Sequence, residues 1–137
     1  MRNVKDIVPY LSDSQVSDLV TKWINAYGSY GDKSFDESIT GPYPFVWVTS
    51  TNLDKVSHDM GLHFSPEEFD ALVKSWGDLI PWDGTQETME ILAANNFTLA
   101  ALSNGDTDTL TRAVSIFGPN APFKYIFSSD FPEVGRF

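Results

Sequence analysis

This sequence predicts an α/β chain that is mainly helical, with a small parallel β-α-β unit towards its end, on three observations. Apolar residues recur at three- and four-residue spacing through most of the chain before Asn96, as helices with one buried face require. Two short apolar runs, Phe97 to Leu102 and Tyr125 to Ser129, read as strands. The segment between those runs carries a helical stripe, so the two strands run parallel through a crossover helix.

Taken in order, Ser12 and Asp13 cap a first helix whose stripe is Val16, Leu19, Val20, Trp23, Ile24 and Tyr27, and Gly28 and Gly31 end it. Gly41 to Val48 holds two prolines and several large apolar side chains, and is expected to be an ordered loop feeding a helix near Asn52 to Met60, closed by Gly61. Ser65-Pro-Glu-Glu68 is the sharpest local signal: Ser65 as cap, Pro66 at the first helical position and Glu68 completing a capping box. Phe69, Leu72, Val73 and Trp76 form the stripe of the helix it starts. A helix from Thr85 to about Ala94 turns Met89 and Leu92 inward. The run Phe97 to Leu102 is expected to be covered on both faces, because it does not alternate. Leu110, Ala113, Val114 and Phe117 then share one helical face before Gly118 and Pro119, and the second strand follows.

Composition narrows the function. At 137 residues the chain is one domain by length, and with 42% hydrophobic residues it is globular. Nineteen acidic against nine basic residues give a net charge of −10, which argues against nucleic acid and anionic membrane surfaces as partners. The absence of cysteine excludes disulfides and thiol chemistry. No apolar run has the length of a membrane span or a secretory leader, so a cytoplasmic protein is expected. His58 and His63 lack a third ligand at metal spacing and read as surface residues, so no metal or other cofactor is expected.

Three segments stand in a telling order: Pro81-Trp-Asp-Gly-Thr85 before a helix, Leu102-Ser-Asn-Gly105 at a strand end, and Ile126-Phe-Ser-Ser-Asp130 followed by Gly135-Arg-Phe137. In this order they resemble the later motifs of the type II 2-haloacid dehalogenases, in the haloacid dehalogenase superfamily. The resemblance implies that residues up to about 80 are a cap-like helical part, and residues from about 81 to 137 a partial core of that fold, within one domain. It also implies that Ser103 and Asn104 stand where the family's motif holds the substrate's anionic group. The family's first strand, whose aspartate attacks the substrate, has no counterpart here: Asp6 has no strand leading into it. The lysine expected just after the Gly-x-Phe match, and the final acidic motif, also have no counterpart up to Phe137. Covalent hydrolysis by the family mechanism is therefore not expected.

Two readings of different class remain. In one, the chain is a non-catalytic remnant or a small-molecule binding module. In the other, it resembles the nucleophile-less dehalogenase homologues of fungal quinolone alkaloid pathways, which act as Brønsted acids on epoxides and yield rearranged or cyclised isomers. The second reading leads, and a hydrolase of dehalogenase type trails both. Epoxide opening needs a proton donor and walls that tolerate a cation; a shielded carboxyl supplies the first, and aromatic faces attract cations by about 0.5–2 kcal/mol each. The expected partner is a hydrophobic aromatic small molecule.

Asp106 and Asp130 close the two strands on one edge of the sheet and are the candidate proton donors. Asp106 reads equally as the cap of the next helix, and Asp130 as a solvated loop residue. Ser103 and Asn104 are candidate substrate contacts, although Asn-Gly also forms turns for purely structural reasons. Trp47, Trp82 and Tyr43 are candidate aromatic walls, whereas Trp76 reads as core. So small a sheet leaves edges to be covered, and a homodimer is expected.

Overall fold

The computed structural model of the chain describes residues 4–28, 45–118 and 121–128. Two compact units divide it, one within Asn3–Ser75 and one within Trp76–Phe137. The architecture is mainly helical with one small parallel sheet, as the periodicities predict.

The first unit is all helix. A short α1 (Val4–Ile7), which the sequence does not announce, leads to Val8 and Leu11, both buried. Lys5 reaches across that turn to the Leu11 carbonyl and to Asp13. α2 (Asp13–Gly28) starts in a reciprocal cap, with Ser12 Oγ accepting from Gln15 N–H at 3.2 Å and Gln15 Oε1 accepting from Ser12 N–H at 2.9 Å. Of its expected stripe, Leu19 and Trp23 are fully buried, but Ile24 is exposed. α3 (Phe45–Asp59) packs on α2. It begins seven residues before the expected start, because no proline or glycine interrupts the sequence between Pro44 and Gly61. Phe45 to Val48 are therefore helix and not loop, a correction for that part of the segment; Gly41 to Pro44 lie outside the described residues. The Trp23 indole N–H donates to the Thr49 carbonyl at 2.8 Å and ties the two helices together.

The ends of α3 and α4 follow the sequence closely. Gly61, at φ 65°, takes the left-handed position that closes α3, its N–H donating to His58 O and that of Leu62 to Ser57 O. α4 (Pro66–Lys74) has the full capping box, with Ser65 Oγ accepting from Glu68 N–H and Glu68 Oε2 accepting from Ser65 N–H. Leu72 and Val73 are buried as expected. Trp76 does not complete their stripe: α4 stops at Lys74, and Trp76 falls in the 3-10 turn Ser75–Gly77 and in the second unit.

The second unit runs α5 (Thr85–Ala94), β1 (Leu99–Leu102), α6 (Thr107–Ser115) and β2 (Phe123–Phe127). α5 has the expected bounds, and Met89 and Leu92 are half-buried on it while Ile91 is exposed. Asn96, at φ 64°, closes α5, with Phe97 N–H donating back to Leu92 O, so β1 starts two residues later than the apolar run suggests. β1 and β2 pair in parallel, with Leu99 opposite Phe123, Ala100 opposite Tyr125 and Leu102 opposite Phe127. The register leaves Lys124 without an opposite residue, a bulge that turns Phe123 and Tyr125 to opposite faces. One face, with Leu99, Ala101, Phe123 and Ile126, is half-buried, and α5 and α6 pack on the sheet. The other is exposed among the described residues, so the cover expected on both faces of β1 is present on one of them there.

Gly77 is where this unit closes on itself. A Cβ there would lie 2.9 Å from Arg112 Cβ and 3.0 Å from Thr109 O, so only glycine lets the segment lie against α6. The next residue, Asp78, accepts from Arg112 Nη2 at 2.6 Å and holds the same approach. Gly77→Ala is expected to cost about 1–3 kcal/mol through the forced displacement. Urea denaturation would show it against Gly28→Ala, whose new Cβ meets nothing within 4 Å and should leave stability the same or higher.

Candidate functional site

The C-terminal edge of the two strands is the place to look, because open α/β sheets bind ligands beyond the carboxyl ends of their strands. Ser103 continues the ladder past β1, its N–H donating to Phe127 O at 3.0 Å. Its hydroxyl oxygen accepts from Gly105 N–H at 3.0 Å, which folds Ser103-Asn104-Gly105 into a tight turn. Gly105 is buried within it, and a Cβ there would sit 3.3 Å from Ser103 Oγ. Asn104 is exposed at the tip.

Asp106 then caps α6. Its Oδ1 accepts from Thr109 N–H at 2.8 Å, and its backbone is extended, at φ −66° and ψ 170°. The capping role weighed from the sequence is therefore present. The second oxygen, Oδ2, is buried and has no hydrogen-bond partner among the described residues. A buried polar atom left unpaired costs about 1–3 kcal/mol, so this half of the carboxyl is set apart from the cap. One residue on, Thr107 Oγ1 and Ser128 Oγ are 2.9 Å apart and join the start of α6 to the end of β2. Ser128 is buried, and this link between the two strand ends has no sequence signal beyond the hydroxyls themselves.

The sequence candidates thus divide. Ser103, Asn104 and Asp106 share one turn at one sheet edge. Trp82 lies in the same unit and is 88% exposed. Trp47 lies in the helical unit, on α3, and is 37% exposed. Asp130 and Tyr43 lie outside the described residues. Among the described residues no three His, Asp or Glu side chains gather as a metal ion would need, and no helix is long and apolar enough to cross a membrane.

One polar residue escaped the sequence reading. Asn52 is 7% exposed, and its Nδ2 has no hydrogen-bond partner among the described residues. Its spacing from Val48, Thr49, Leu53 and Val56, all buried on α3, was the available signal: an amide placed within an apolar stripe. On α2, burial pushes the pKa of the Tyr27 phenol up, and its ring meets Phe45 edge to face.

Solved structures share the fold. The L-2-haloacid dehalogenase RSc1362 superposes with a TM-score of 0.75 over 93% of this chain and 57% of its own, at 21% identity. The L-2-haloacid dehalogenase from Xanthobacter autotrophicus, solved with chloropropionic acid covalently bound, superposes with a TM-score of 0.71 over 93% of this chain and 51% of its own, at 20% identity. The fold is haloacid dehalogenase-like. This chain spans about half the length of those dehalogenases, so it carries part of their haloacid dehalogenase-like fold. Sequence comparison alone finds no match, either to a protein-family model or to a curated protein.

Proposed function

We propose that the chain is a Brønsted-acid catalyst that opens an epoxide of an aromatic, alkaloid-type small molecule and releases an isomer of it. The observation that carries this reading is the divided Asp106 carboxyl: Oδ1 is engaged by Thr109 N–H, while Oδ2 is buried and has no partner among the described residues. In the reaction, the carboxyl proton passes to the epoxide oxygen as the C–O bond to the more substituted carbon breaks, its electron pair going to oxygen. Migration within the cation, or attack by a group of the substrate itself, quenches the charge. The proton released at that step returns to the Asp106 carboxylate, so the mass of the product equals that of the substrate. Ser103 and Asn104, in the same turn, would orient the oxygen, and the exposed Trp82 indole offers a face to an aromatic ring or a cation.

The names of the structural neighbours suggest hydrolytic dehalogenation instead. Among the described residues β1 is the first strand, so no strand-borne aspartate stands beside Ser103 in them.

The test is incubation of the purified chain with prenyl-derived epoxides of quinolone-type compounds and, separately, with 2-chloropropionate. Products are read by mass spectrometry and NMR, and chloride by ion chromatography. A product of unchanged mass, formed faster than in buffer and without chloride release from 2-chloropropionate, is expected. Chloride release would return the chain to the hydrolases. Tight binding of the epoxides without conversion would make it a binding module.

A further inference from the structure

Asn104-Gly105 is the one Asn-Gly pair in the chain. It is the pairing in which a peptide nitrogen, unshielded by a following Cβ, most readily reaches the preceding side-chain carbonyl carbon and closes a five-membered imide. The turn after β1 presents Asn104 exposed at its tip. The other described asparagines are held differently. Asn25 and Asn52 lie within α2 and α3, where the N–H of the next residue serves the helical ladder. Asn95 Nδ2 donates to Ile91 O at 2.8 Å, which fixes its amide. Asn96 is followed by the bulky Phe97, whose N–H donates to Leu92 O at 3.1 Å. The Gly105 N–H also has an acceptor, but of another kind: the side-chain hydroxyl of Ser103, at 3.0 Å in the same turn.

We propose that Asn104 is a self-modification site, converted through a cyclic imide with Gly105 into an aspartyl or isoaspartyl residue, and that the Ser103 hydroxyl sets the pace. In the first step the Gly105 nitrogen gives its proton to a solvent base and bonds to Asn104 Cγ. The bond from Cγ to Nδ2 breaks, and Nδ2 leaves as ammonia with a proton from water. Water then opens the imide at either carbonyl. Opening at Cγ restores the ordinary main chain and leaves aspartate, whereas opening at the main-chain carbonyl routes the chain through the side chain and leaves isoaspartate. Water is the co-reactant, ammonia the by-product, and nothing is oxidised or reduced. Ser103 restrains the first step, because the hydrogen bond it accepts must break before the nitrogen can turn onto Cγ. Either product adds a negative charge two residues from Asp106, and isoaspartate also lengthens the main chain inside the turn that leads to the α6 cap. This inference stands apart from the proposed acid chemistry, since it needs only the turn and water.

The experiment holds the whole chain folded in mildly alkaline buffer and, in parallel, unfolded in urea. Samples taken over time are digested at acid pH and mapped by mass spectrometry, with electron-transfer fragmentation to tell isoaspartate from aspartate. In the folded chain the Asn104 peptide is expected to lose its amide form progressively, with isoaspartate among the products. The peptides of Asn25, Asn52, Asn95 and Asn96 should stay unchanged over the same period. Ser103→Ala should speed the loss about two- to tenfold, the weight of one hydrogen bond, and Ser103→Thr, which retains the hydroxyl, should keep the wild-type pace. Far-UV circular dichroism checks that each variant is folded, and if Ser103→Ala is not, Ser103→Val takes its place beside Ser103→Thr. A folded chain whose Asn104 peptide keeps its amide while the unfolded chain converts overturns the proposal, because the turn then closes the reaction off. A folded variant without the hydroxyl that converts no faster than wild type overturns the role given to Ser103.

Discussion

Trp23→Ala is expected to destabilise the helical unit by about 3–5 kcal/mol, the usual cost of emptying a fully buried tryptophan site. Trp23 is inaccessible to solvent and, with Leu19, presents the buried face of α2 to α3. Its indole N–H is bound to the Thr49 carbonyl, and Thr49 is itself inaccessible, its hydroxyl donating back within α3 to Phe45 O and Val46 O. Removing the ring therefore opens a cavity and breaks a cross-helix tie together. Trp23→Phe retains most of the volume and loses only the tie, so it should cost about 0.5–1.5 kcal/mol. Trp82→Ala is the contrast: at 88% exposure it should change stability by less than about 0.5 kcal/mol. Urea titration followed at 222 nm orders the three variants. An Ala variant at position 23 that unfolds alongside the wild type would mean that the α2–α3 contact does not hold this unit together.

The contrast between these tryptophans also shows what the sequence made legible. Trp23 sits in a stripe with Leu19, and period alone marked it as core. Trp82 follows a proline and precedes Asp83-Gly84, with no period to assign it a face, and it proves to be exposed. Capping was equally readable: Ser65 with Glu68, and Gly61 after α3, are local chemistry acting within a few residues. What could not be read depends on contacts distant in sequence. The early start of α3 at Phe45 hid behind prolines that suggested a loop, although a helix can follow a proline directly. The apolar run from Phe97 suggested a strand buried on both faces, because composition reports hydrophobicity and not what supplies the cover. Gly77 gave no sign of its approach to α6, which lies more than thirty residues on.

At the candidate site the sequence located the turn and left its division of labour open. Asn-Gly before Asp-Thr reads as a turn feeding a helix cap, and both are present. That the cap uses only one carboxylate oxygen, and that the other is buried, is a property of packing that no motif encodes. Trp47 belongs to one compact unit and Trp82 to the other, and proximity to prolines in the sequence carries no distance between them.

Asp106→Asn is expected to separate catalysis from capping. Asparagine caps helices about as well as aspartate, and Oδ1 retains its bond from Thr109 N–H, so stability should stay within about 1 kcal/mol of wild type. The amide has no acidic proton to deliver, and loss of a positioned general acid typically lowers a rate by about 10²–10⁴-fold. Asp106→Ala removes both functions, and adds about 0.5–2 kcal/mol of destabilisation from the lost cap. The pair therefore distinguishes two explanations of a dead variant. If the Asn variant is stable and inactive while the Ala variant is less stable and inactive, Asp106 donates the proton. If the Asn variant converts epoxide at the wild-type rate, Asp106 is a helix cap alone, and the donor must be sought in another carboxyl, beginning with Asp130. Rates measured by mass spectrometry beside urea midpoints decide between them, because only the proton-donor reading predicts a loss of rate without a loss of fold.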